Sequence, residues 1–396
     1  MTISYHQVLI TPLKNDNEYG IEVDVTDFLA AGGIGNVVQS IDAGNYDIGL
    51  YTYADLTLTL INYDGRFNNN THAESMFYHT RDRAKVTVKF YDNAGAASIV
   101  FKGIINDEAT TQNFTNETVQ IRVLSRDSIL RKTIVVGGLI TDGMLFSNAI
   151  KALLNRSSIT SVITYDASLI SVALDYTVDV ASVFSDKDTR EVLDQLLSAS
   201  GSVFRINSND KMVVSPRTIT DKDALALYGG GDPLQQDNIL SIKSFNDGLQ
   251  RTFNTFTVNG RTASDADYII RYGSNIKEFT FDSITSTVTA TAIATYLLGQ
   301  FKAPKNELEV VVPVDVAKNA EILDPVTISF PKKFIGYKGT RVPIAGVAIA
   351  GADYTPYASG GIVINNNKVW KITAITQDTK NFQTILRLRE DSIAST

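Results

Sequence analysis

The feature that most constrains this chain is a two-residue alternation of apolar and polar side chains. Residues 56–60 alternate Leu with Thr, and residues 86–90 alternate Val or Phe with Thr and Lys. Successive side chains of a strand point to opposite faces of its sheet, so this pattern buries one face and leaves the other in water. Two further segments typical of strands, an apolar one at 98–101 and an alternating one at 119–123, each follow polar turn residues. These runs predict an antiparallel meander in the first part of the chain.

The same design returns later as three predicted hairpins. Each consists of two apolar runs that flank a short segment rich in Asn, Asp or Gln. Asn and Asp tolerate the positive φ that tight turns need, which gives these turns a physical cause. The paired runs are 203–206 with 212–214, 361–364 with 369–372, and 373–375 with 384–388.

Helical periodicity is much rarer, and its clearest example covers residues 188–199. Asp188 is followed three residues later by Glu191, a variant of the capping box that satisfies the free N–H groups of a first helical turn. Leucine and valine recur on one face, and Gly201 supplies the stop signal.

Two further helices are predicted. Residues 142–154 follow a candidate cap at Asp142 and place their apolar side chains near one face. Residues 290–302 form the third helix, with four side chains expected to point inward: Ile293, Tyr296, Leu297 and Phe301.

The order of these elements predicts three domains. Residues 1–134 are read as all β, residues 135–220 as two helices with a hairpin, and residues 221–396 as mostly β with one helix. Three consecutive glycines cannot hold a regular element, so the segment 229–233 is the best candidate for a linker. Two other glycine-rich segments, 32–35 and 358–361, are predicted to be loops.

Composition restricts the classes of function. The 396 residues carry a net charge of −7, which gives no general attraction to nucleic acid or to anionic membranes. The absence of cysteine excludes disulfides, thiolate metal sites and thiol nucleophiles. We expect no signal peptide, because the start of the chain lacks a basic segment followed by an apolar run. No apolar run approaches the roughly 20 residues of a membrane helix, so we expect synthesis in the cytosol and no membrane insertion.

Residues that could carry chemistry are few. His72 and His79 share a polar segment with Glu74, but their spacing matches no established zinc motif. The chain has no Gly-x-Ser-x-Gly elbow, and the glycines at 32–35 lack the Lys-Ser/Thr pair of a phosphate loop. We therefore predict no catalytic residues, no cofactor, no metal site and no enzymatic activity.

Acidic and basic segments have simple structural explanations. Among 43 Asp and Glu residues, some pair of carboxylates could always be proposed as the catalytic pair of a glycosidase. The clearest acidic segments, however, lie at positions where acidic residues commonly form turns and helix caps. Residues 62–67 lack the alternating ligands and distal Glu of a calcium loop, so they are read as a turn. Residues 81–85 contain their own acidic partner and no interleaved aromatics, which makes single-strand nucleic-acid binding a poor explanation.

A recognisable order of elements covers most of the chain. Residues 53–67 join an alternating strand to an Asn-x-Asp-Gly-x-Phe turn. The elements that follow are an Arg-containing strand, a Phe-x-Gly-x-Ile strand, a strand ending in a polar step, a helix with a hairpin, a late strand and a closing hairpin, at 83–88, 101–105, 123–130, 192–206, 322–328 and 369–388. In this order the sequence resembles the baseplate-hub and tail-tip proteins of long-tailed bacteriophages.

The resemblance implies both a fold and a role. The implied fold is mainly β with an α+β insertion: two β-barrel domains of the phage tail-hub type, with few short helices. Three copies would form a ring of six barrels that continues the tail tube, anchors the central fibre or receptor-binding proteins, and lets DNA pass during ejection. The implied partners are further copies of the chain, the tail tube or distal tail protein, and the fibre apparatus. The protein would then reside in the virion, at the tail tip, after assembly in the host cytoplasm.

Three alternatives stay open at this point. A distal tail ring protein, often hexameric, belongs to the same class, and two β-rich regions within one chain favour the hub. A tail enzyme that degrades carbohydrate or peptidoglycan would need a carboxylate pair. A secreted sugar-binding module would need a signal peptide. If the chain forms a ring, its acidic balance suggests a lumen lined by carboxylates that repel DNA and let it slide.

Overall fold

The computed structural model describes residues 5–15, 18–41, 53–68, 74–78, 80–92, 94–218, 220, 222–229, 236–246, 252–334, 362–364 and 369–391. Within these ranges, no helix combines the length and apolar character that crossing a membrane requires. Two predictions fall outside them: the linker beyond Gly229 and the loop at 358–361.

The first β region contains the predicted meander. Its strands pair in the order β5-β6-β9-β8-β7-β1, each antiparallel to the next. Their alternating apolar side chains form one core, which confirms the prediction from the two-residue pattern. The strands are β1 (Tyr5–Asn15), β2 (Glu18–Tyr19), β3 (Val23–Asp24), β4 (Leu29–Ile34), β5 (Val37–Ser40), β6 (Tyr53–Ile61), β7 (Thr80–Tyr91), β8 (Ala97–Asn113) and β9 (Thr118–Ser125).

This sheet curls until its two sides meet. β3 pairs with β1 and β4 pairs with β6, and only a short 3-10 turn, Thr26–Phe28, lies between β3 and β4. The amide of Val25 donates to the carbonyl of Val8 at 2.9 Å, and the amide of Val8 donates to Thr26 Oγ1 at 3.0 Å. The short connection between β3 and β4 therefore brings the two sides of the sheet close together around the apolar core.

The glycines at 32–35 were predicted to form a loop, and this prediction is wrong for the first two. Gly32 and Gly33 belong to β4, which is bonded to β6 with a shift of register. A Cβ on Gly33 would lie 2.5 Å from the carbonyl oxygen of Thr59. Glycine is required here because two backbones approach closely, which a search for flexible segments cannot distinguish from a loop.

The middle region contains α1 (Phe146–Leu154), α2 (Ser157–Thr160), α3 (Thr189–Ser200), β10 (Ser202–Ile206) and β11 (Met212–Pro216). Helix α3 and the β10–β11 hairpin confirm their predictions. The Asp188 side chain accepts a hydrogen bond from the amide of Glu191 at 2.7 Å, and Gly201 ends the helix with a φ of 64°. Helix α1 begins later than predicted, because Asp142 accepts from the amide of Ala181 at 2.7 Å and caps no helix.

The last part of the chain adds a second β region and a small sheet. In the second β region, β13-β17-β21-β20 pair antiparallel and β12 runs parallel to β18. The third predicted helix is present as α5, although it begins at Thr287 behind a Ser286 cap. The elements are β12 (Leu225–Tyr228), β13 (Ser241–Asn246), β14 (Thr255–Val258), β15 (Arg261–Ser264), α4 (Ala266–Tyr272), β16 (Ile276–Phe279), α5 (Thr287–Phe301), β17 (Glu307–Pro313), β18 (Pro325–Phe334), β19 (Ile362–Ile364), β20 (Val369–Asp378) and β21 (Gln383–Asp391).

The hairpin predicted for 361–364 with 369–372 is wrong. β19 pairs with β18, and β18 in turn pairs with β20. One edge of β20 is bonded to β21 throughout, and the other is shared between β18 and β5. No edge of β20 is left for β19, so the strand that is nearest in sequence cannot be its partner.

Apolar side chains collect into three cores. One lies in the first β region, one in the second, and one between α1, α3, the β10–β11 hairpin and α5. The predicted fold class is confirmed: the chain is mainly β, with an α+β part and few short helices. The domain boundaries at 134 and 220 stay a prediction. Apolar residues between 253 and 301 are buried in the core that α1, α3 and the β10–β11 hairpin share with α5.

Candidate functional site

The two β regions are joined along one strand. β5 pairs with β6 of the first region, for example Gln39 with Ala54, and with β20 of the second, for example Gln39 with Ile375. Both edges of β5 are therefore hydrogen-bonded, and the two regions share one continuous sheet. We call this junction the seam. Its geometry matters because it fixes how one region is held against the other.

An aromatic contact reinforces the seam. The ring of His6 on β1 lies parallel to the ring of Phe382, with centroids 5.3 Å apart, and Phe90 lies 5.5 Å away on the first region. Phe382 belongs to the turn between β20 and β21 and has a positive φ of 52°. Burial lowers the pKa of His6 to about 4, because a charged imidazolium would lose its water there. His6 is thus a neutral packing residue near physiological pH.

Polar contacts cross the same seam. The hydroxyl of Thr379 donates to the carbonyl of Ile34 at 2.9 Å. Lys318 Nζ lies 3.1 Å from the carboxylate of Asp92, which links a loop of the second region to the first. The amide of Ile41 also donates across the seam, to a carbonyl oxygen of β20 at 3.1 Å. The contact therefore combines backbone pairing, ring packing and ion pairing.

A cavity of about 110 Å³ lies where the three cores meet. Its walls come from β8, from the 3-10 helix Arg126–Lys132, from the β10–β11 hairpin and from the loop before β18. Buried or half-buried polar side chains line it, among them Asp127, Arg205, Glu321 and Gln377. A small cavity lined by polar and charged groups is typical of a joint between packed units.

Asp127 is the most unusual side chain of this joint. Its residue is 1 % exposed, and the hydroxyl of Ser125 donates a hydrogen bond to the carboxyl group. Burial raises the pKa of Asp127 to about 7, although the Ser125 hydrogen bond acts in the opposite direction. Its second carboxyl oxygen has no hydrogen-bond partner among the described residues. A carboxyl in this position retains its proton up to near-neutral pH.

An ion pair ties the β10–β11 hairpin to the first β region, and a hydrogen bond to a carboxylate ties it to the second. Arg126, at the end of the first region, pairs with Asp210 in the hairpin turn. On the other side, the carboxylate of Glu321 accepts a hydrogen bond from the amide of Ser208 at 2.7 Å and lies 2.9 Å from Lys222 Nζ. The hairpin is thus held between the two β regions by charge-assisted hydrogen bonds.

A second buried charge cluster lies in the second β region. Burial lowers the pKa of Lys371 to about 8, and its Nζ lies 3.2 Å from Asp391. Lys305 Nζ also lies 3.2 Å from Asp391. Burial alone would raise the pKa of Asp391, but these two cations hold it below its ordinary value. Lys305, Lys371 and Asp391 form a structural ion-pair network that links the start of β20 to the end of β21.

The turn at 62–67 has the geometry of a rigid turn, as the sequence predicted. The amide of Phe67 donates to Asn62 Oδ1 at 2.9 Å, and Gly65 takes a positive φ of 76°. Asp64 pairs with Arg66, and the hydrogen bond from Arg66 lowers the pKa of Asp64. Phe67 is fully buried in the core of the first region. The carboxylate of Asp64 is therefore already paired with Arg66.

The remaining predicted groups give no chemical site. His72 and His79 lie outside the described residues. Within the described parts of the chain, no three His, Asp or Glu side chains come close enough together to hold a metal ion. No sequence motif marks the buried charges Asp127, Arg205 and Lys371. The only signal was position: Asp127 lies two residues after the end of strand β9, and Arg205 and Lys371 lie inside apolar strands, where a charge must be buried or paired.

Comparisons with known proteins place the fold. No family model matches the sequence, and no curated protein matches it as a relative. A tail protein from Neisseria meningitidis superposes with a TM-score of 0.58 and 11 % identity, covering 98 % of this chain and 96 % of that one. The 43 kDa tail protein of prophage MuSo2 from Shewanella oneidensis gives 0.53 and 12 %, covering 97 % of each chain. A chain of a Francisella PdpA–VgrG complex gives 0.52 and 10 %, covering 98 % of this chain and 53 % of that one. This chain therefore has the fold of phage tail proteins.

Proposed function

We propose that the chain is a structural protein of a bacteriophage tail, a hub ring at the tail tip. The observation that carries the proposal is the fixed pairing of two β regions through β5, in a chain that shares its fold with tail proteins over nearly its whole length. A ring of six barrels built from three chains needs two β regions from each chain, held in a fixed position relative to each other.

Sheet edges support self-association. β13 and β2 lie at the two ends of the strand order, and each is paired on one side only within the described residues. Exposed strand edges pair promiscuously unless another chain covers them. A closed cyclic arrangement would cover them with neighbouring copies. We expect each such interface to be obligate and to bury more than about 2,000 Å².

The ring would continue the tail tube, attach the fibre or receptor-binding proteins and provide the channel for DNA. The net charge of −7 supports a channel wall that repels DNA and so lets it slide. DNA would be a passing cargo and no stable ligand. A structure of the assembled ring with a neutral or basic channel wall would reject this part of the proposal.

Mass and symmetry test the proposal directly. The full chain is purified and measured by native mass spectrometry and mass photometry across a concentration series, and tail tips are imaged by electron microscopy. A trimer with six similar lobes around a pore is the expected result. A hexamer of whole chains would favour a distal tail ring instead. A monomer at all concentrations, in a protein also absent from particles, would refute the proposal.

The enzymatic alternative has its own control. Activity of the purified chain on peptidoglycan and on capsular polysaccharide is compared with that of a chain carrying Asp127→Asn. We expect no hydrolysis by either protein. Hydrolysis by the wild type that vanishes when a carboxylate is replaced would make the chain a tail enzyme.

A further inference from the structure

Five of the nine exposed large apolar side chains described in the first β region lie at one end of it. There β6 ends beside the start of β9, and β1 ends beside the start of β7, with Ile61 opposite Thr118 and Leu13 opposite Thr80. We define the aromatic end as the described residues 13–15, 18–22, 61–68, 74–78, 80–81 and 106–118. It carries five exposed large apolar side chains: Ile21, Ile61, Tyr63, Tyr78 and Phe114. Clusters of this kind mark protein interfaces, whereas single exposed apolar residues need no explanation.

Phe114 is the most exposed of them, at 86 %, and the turn that carries it is held by hydrogen bonds. It lies in the turn between β8 and β9, where Asn113 Oδ1 accepts from the amides of Thr115 and Asn116 at 3.0 and 3.2 Å. The amide of Asn62 donates to the carbonyl of Glu117 at 2.7 Å, which ties this turn to the 62–67 turn. An aromatic ring held out on a fixed turn loses little conformational entropy on binding and suits an anchor role.

The aromatic end is also acidic. Its described residues include seven Asp or Glu and three Lys or Arg, and residues 106–118 contain no basic residue. Each of the three basic side chains already pairs with an acid of the same end: Lys14 with Glu18, Arg66 with Asp64, and Arg81 with Asp107. Glu108 and Glu117 belong to no ion pair within the described residues. The surface around Phe114 therefore offers unneutralised negative charge.

We propose that the aromatic end is the docking face for a different tail protein, one with an apolar pocket surrounded by Lys or Arg. The same face of a second copy would oppose like charges, which disfavours it as the occupant. The aromatic end includes β2, so docking there leaves the other terminal strand of the sheet, β13, available for ring closure. The inference rests on the proposed function and adds to it a surface and the chemistry of the partner.

Photo-cross-linking in assembled particles tests the proposal. The full chain carries benzoylphenylalanine in place of Phe114, and a control chain carries it in place of Ile270, which is 83 % exposed on α4. After irradiation, cross-linked peptides are identified by mass spectrometry. We expect position 114 to cross-link to a Lys- or Arg-rich segment of one other tail protein, and position 270 not to. Cross-links only to copies of this chain, to an acidic surface, or equally from both positions would overturn the proposal.

Failure of the proposed function is recognised separately. If the wild-type chain is absent from particles, the structural role itself is wrong. If the chain is present in particles but position 114 forms no cross-link, the structural role stands and the docking face is wrong.

Substitutions then test the anchor and the charge. Once the cross-linked protein is purified, Phe114→Ser should weaken its binding roughly tenfold or more, as expected for an interface anchor. Glu117→Lys should weaken it more at low salt than at high salt, because screening already removes part of that attraction. Ile270→Ser serves as the matched control and should leave affinity unchanged. Equal affinity for all three variants would overturn the proposal.

Discussion

Phe382 stacks on His6 at a centroid distance of 5.3 Å and an angle of 13° between the ring planes, and the two residues come from opposite ends of the chain. His6 begins the first β region, whereas Phe382 lies in the last hairpin of the second. The contact is part of the seam, so the charge state of one imidazole bears on how the two regions hold together.

We expect acid to weaken the fold through His6. The pKa of His6 is about 4 in the folded chain and 6.5 in its ordinary state, so between these values only the unfolded chain takes up the proton. The contribution of neutral His6 to the free energy of unfolding is therefore fully present above about pH 6.5 and is lost as the pH drops toward 4. His6→Phe keeps the stack and removes the titration. Urea unfolding from pH 7 to pH 4.5 should show a shallower decline for the variant, and identical declines would contradict the assignment.

Phe67 should be among the most costly residues to truncate. It is fully buried and anchors the 62–67 turn to the core, so Phe67→Ala should lower the free energy of unfolding by about 3–5 kcal/mol. Phe114→Ala removes the same ring from an 86 % exposed position and should change stability by less than about 0.5 kcal/mol. Chemical denaturation of both variants checks the contrast. A small loss for Phe67→Ala would show that the turn does not depend on its anchor.

Gly201 is required for two separable reasons. Its φ is 64°, and a Cβ at this position would lie 2.2 Å from the ring of Tyr296. Gly201→Ala should therefore cost more than the roughly 1 kcal/mol of a left-handed alanine alone. In the background of Tyr296→Ala the same substitution should cost about that smaller amount, because the clash is gone. Equal costs in both backgrounds, measured by thermal unfolding, would exclude the steric contribution.

Asp127 should destabilise the chain at high pH. Its pKa is about 7 in the folded chain and 3.8 ordinarily, so the folded state binds the proton more tightly. Stability is therefore greatest below about pH 4 as far as this group is concerned, and it falls as the pH rises through 7. Asp127→Asn cannot ionise and should be more stable than the wild type at pH 8.5, on the order of 2 kcal/mol.

The comparison at low pH supplies the control for Asp127. At pH 5 the carboxyl is protonated in the folded chain but still mostly ionised in the unfolded chain, so the advantage of Asp127→Asn should be smaller than at pH 8.5 and should disappear only below about pH 4. Ser125→Ala removes the hydrogen-bond donor without adding a charge and should destabilise the chain at both pH values. A constant difference between Asp127→Asn and the wild type across this range would mean that Asp127 does not titrate there.

Local patterns in the sequence predicted local structure well. The alternation at 56–60 and 86–90 became β6 and β7, and the Asp188 cap with the Gly201 stop became the ends of α3. These signals succeed because side-chain periodicity and capping act within one element. The order of such elements was enough to predict a mainly β chain with a few helices, whereas the two β-barrels were expected only from the resemblance to tail-hub proteins.

Long-range pairing was not predictable in the same way. β5 is only four residues long and gives no hint that it bonds to β20 on one side and β6 on the other. The predicted partner of β19 was wrong because strands distant in sequence decide which strand edges are already paired. Asp127 resembles any polar residue after a strand, and only the packing of three cores buries it. Site residues that depend on such packing carry no local signature.

The shared strand β5 has a mechanical consequence. Separating the two β regions would break two backbone ladders at once, because both edges of β5 are engaged. A torque on one region therefore reaches the other through the hydrogen-bonded peptide groups of β5. In an assembly built from this chain, rearrangement should therefore come from whole subunits that slide or tilt against one another, while each subunit keeps its internal shape.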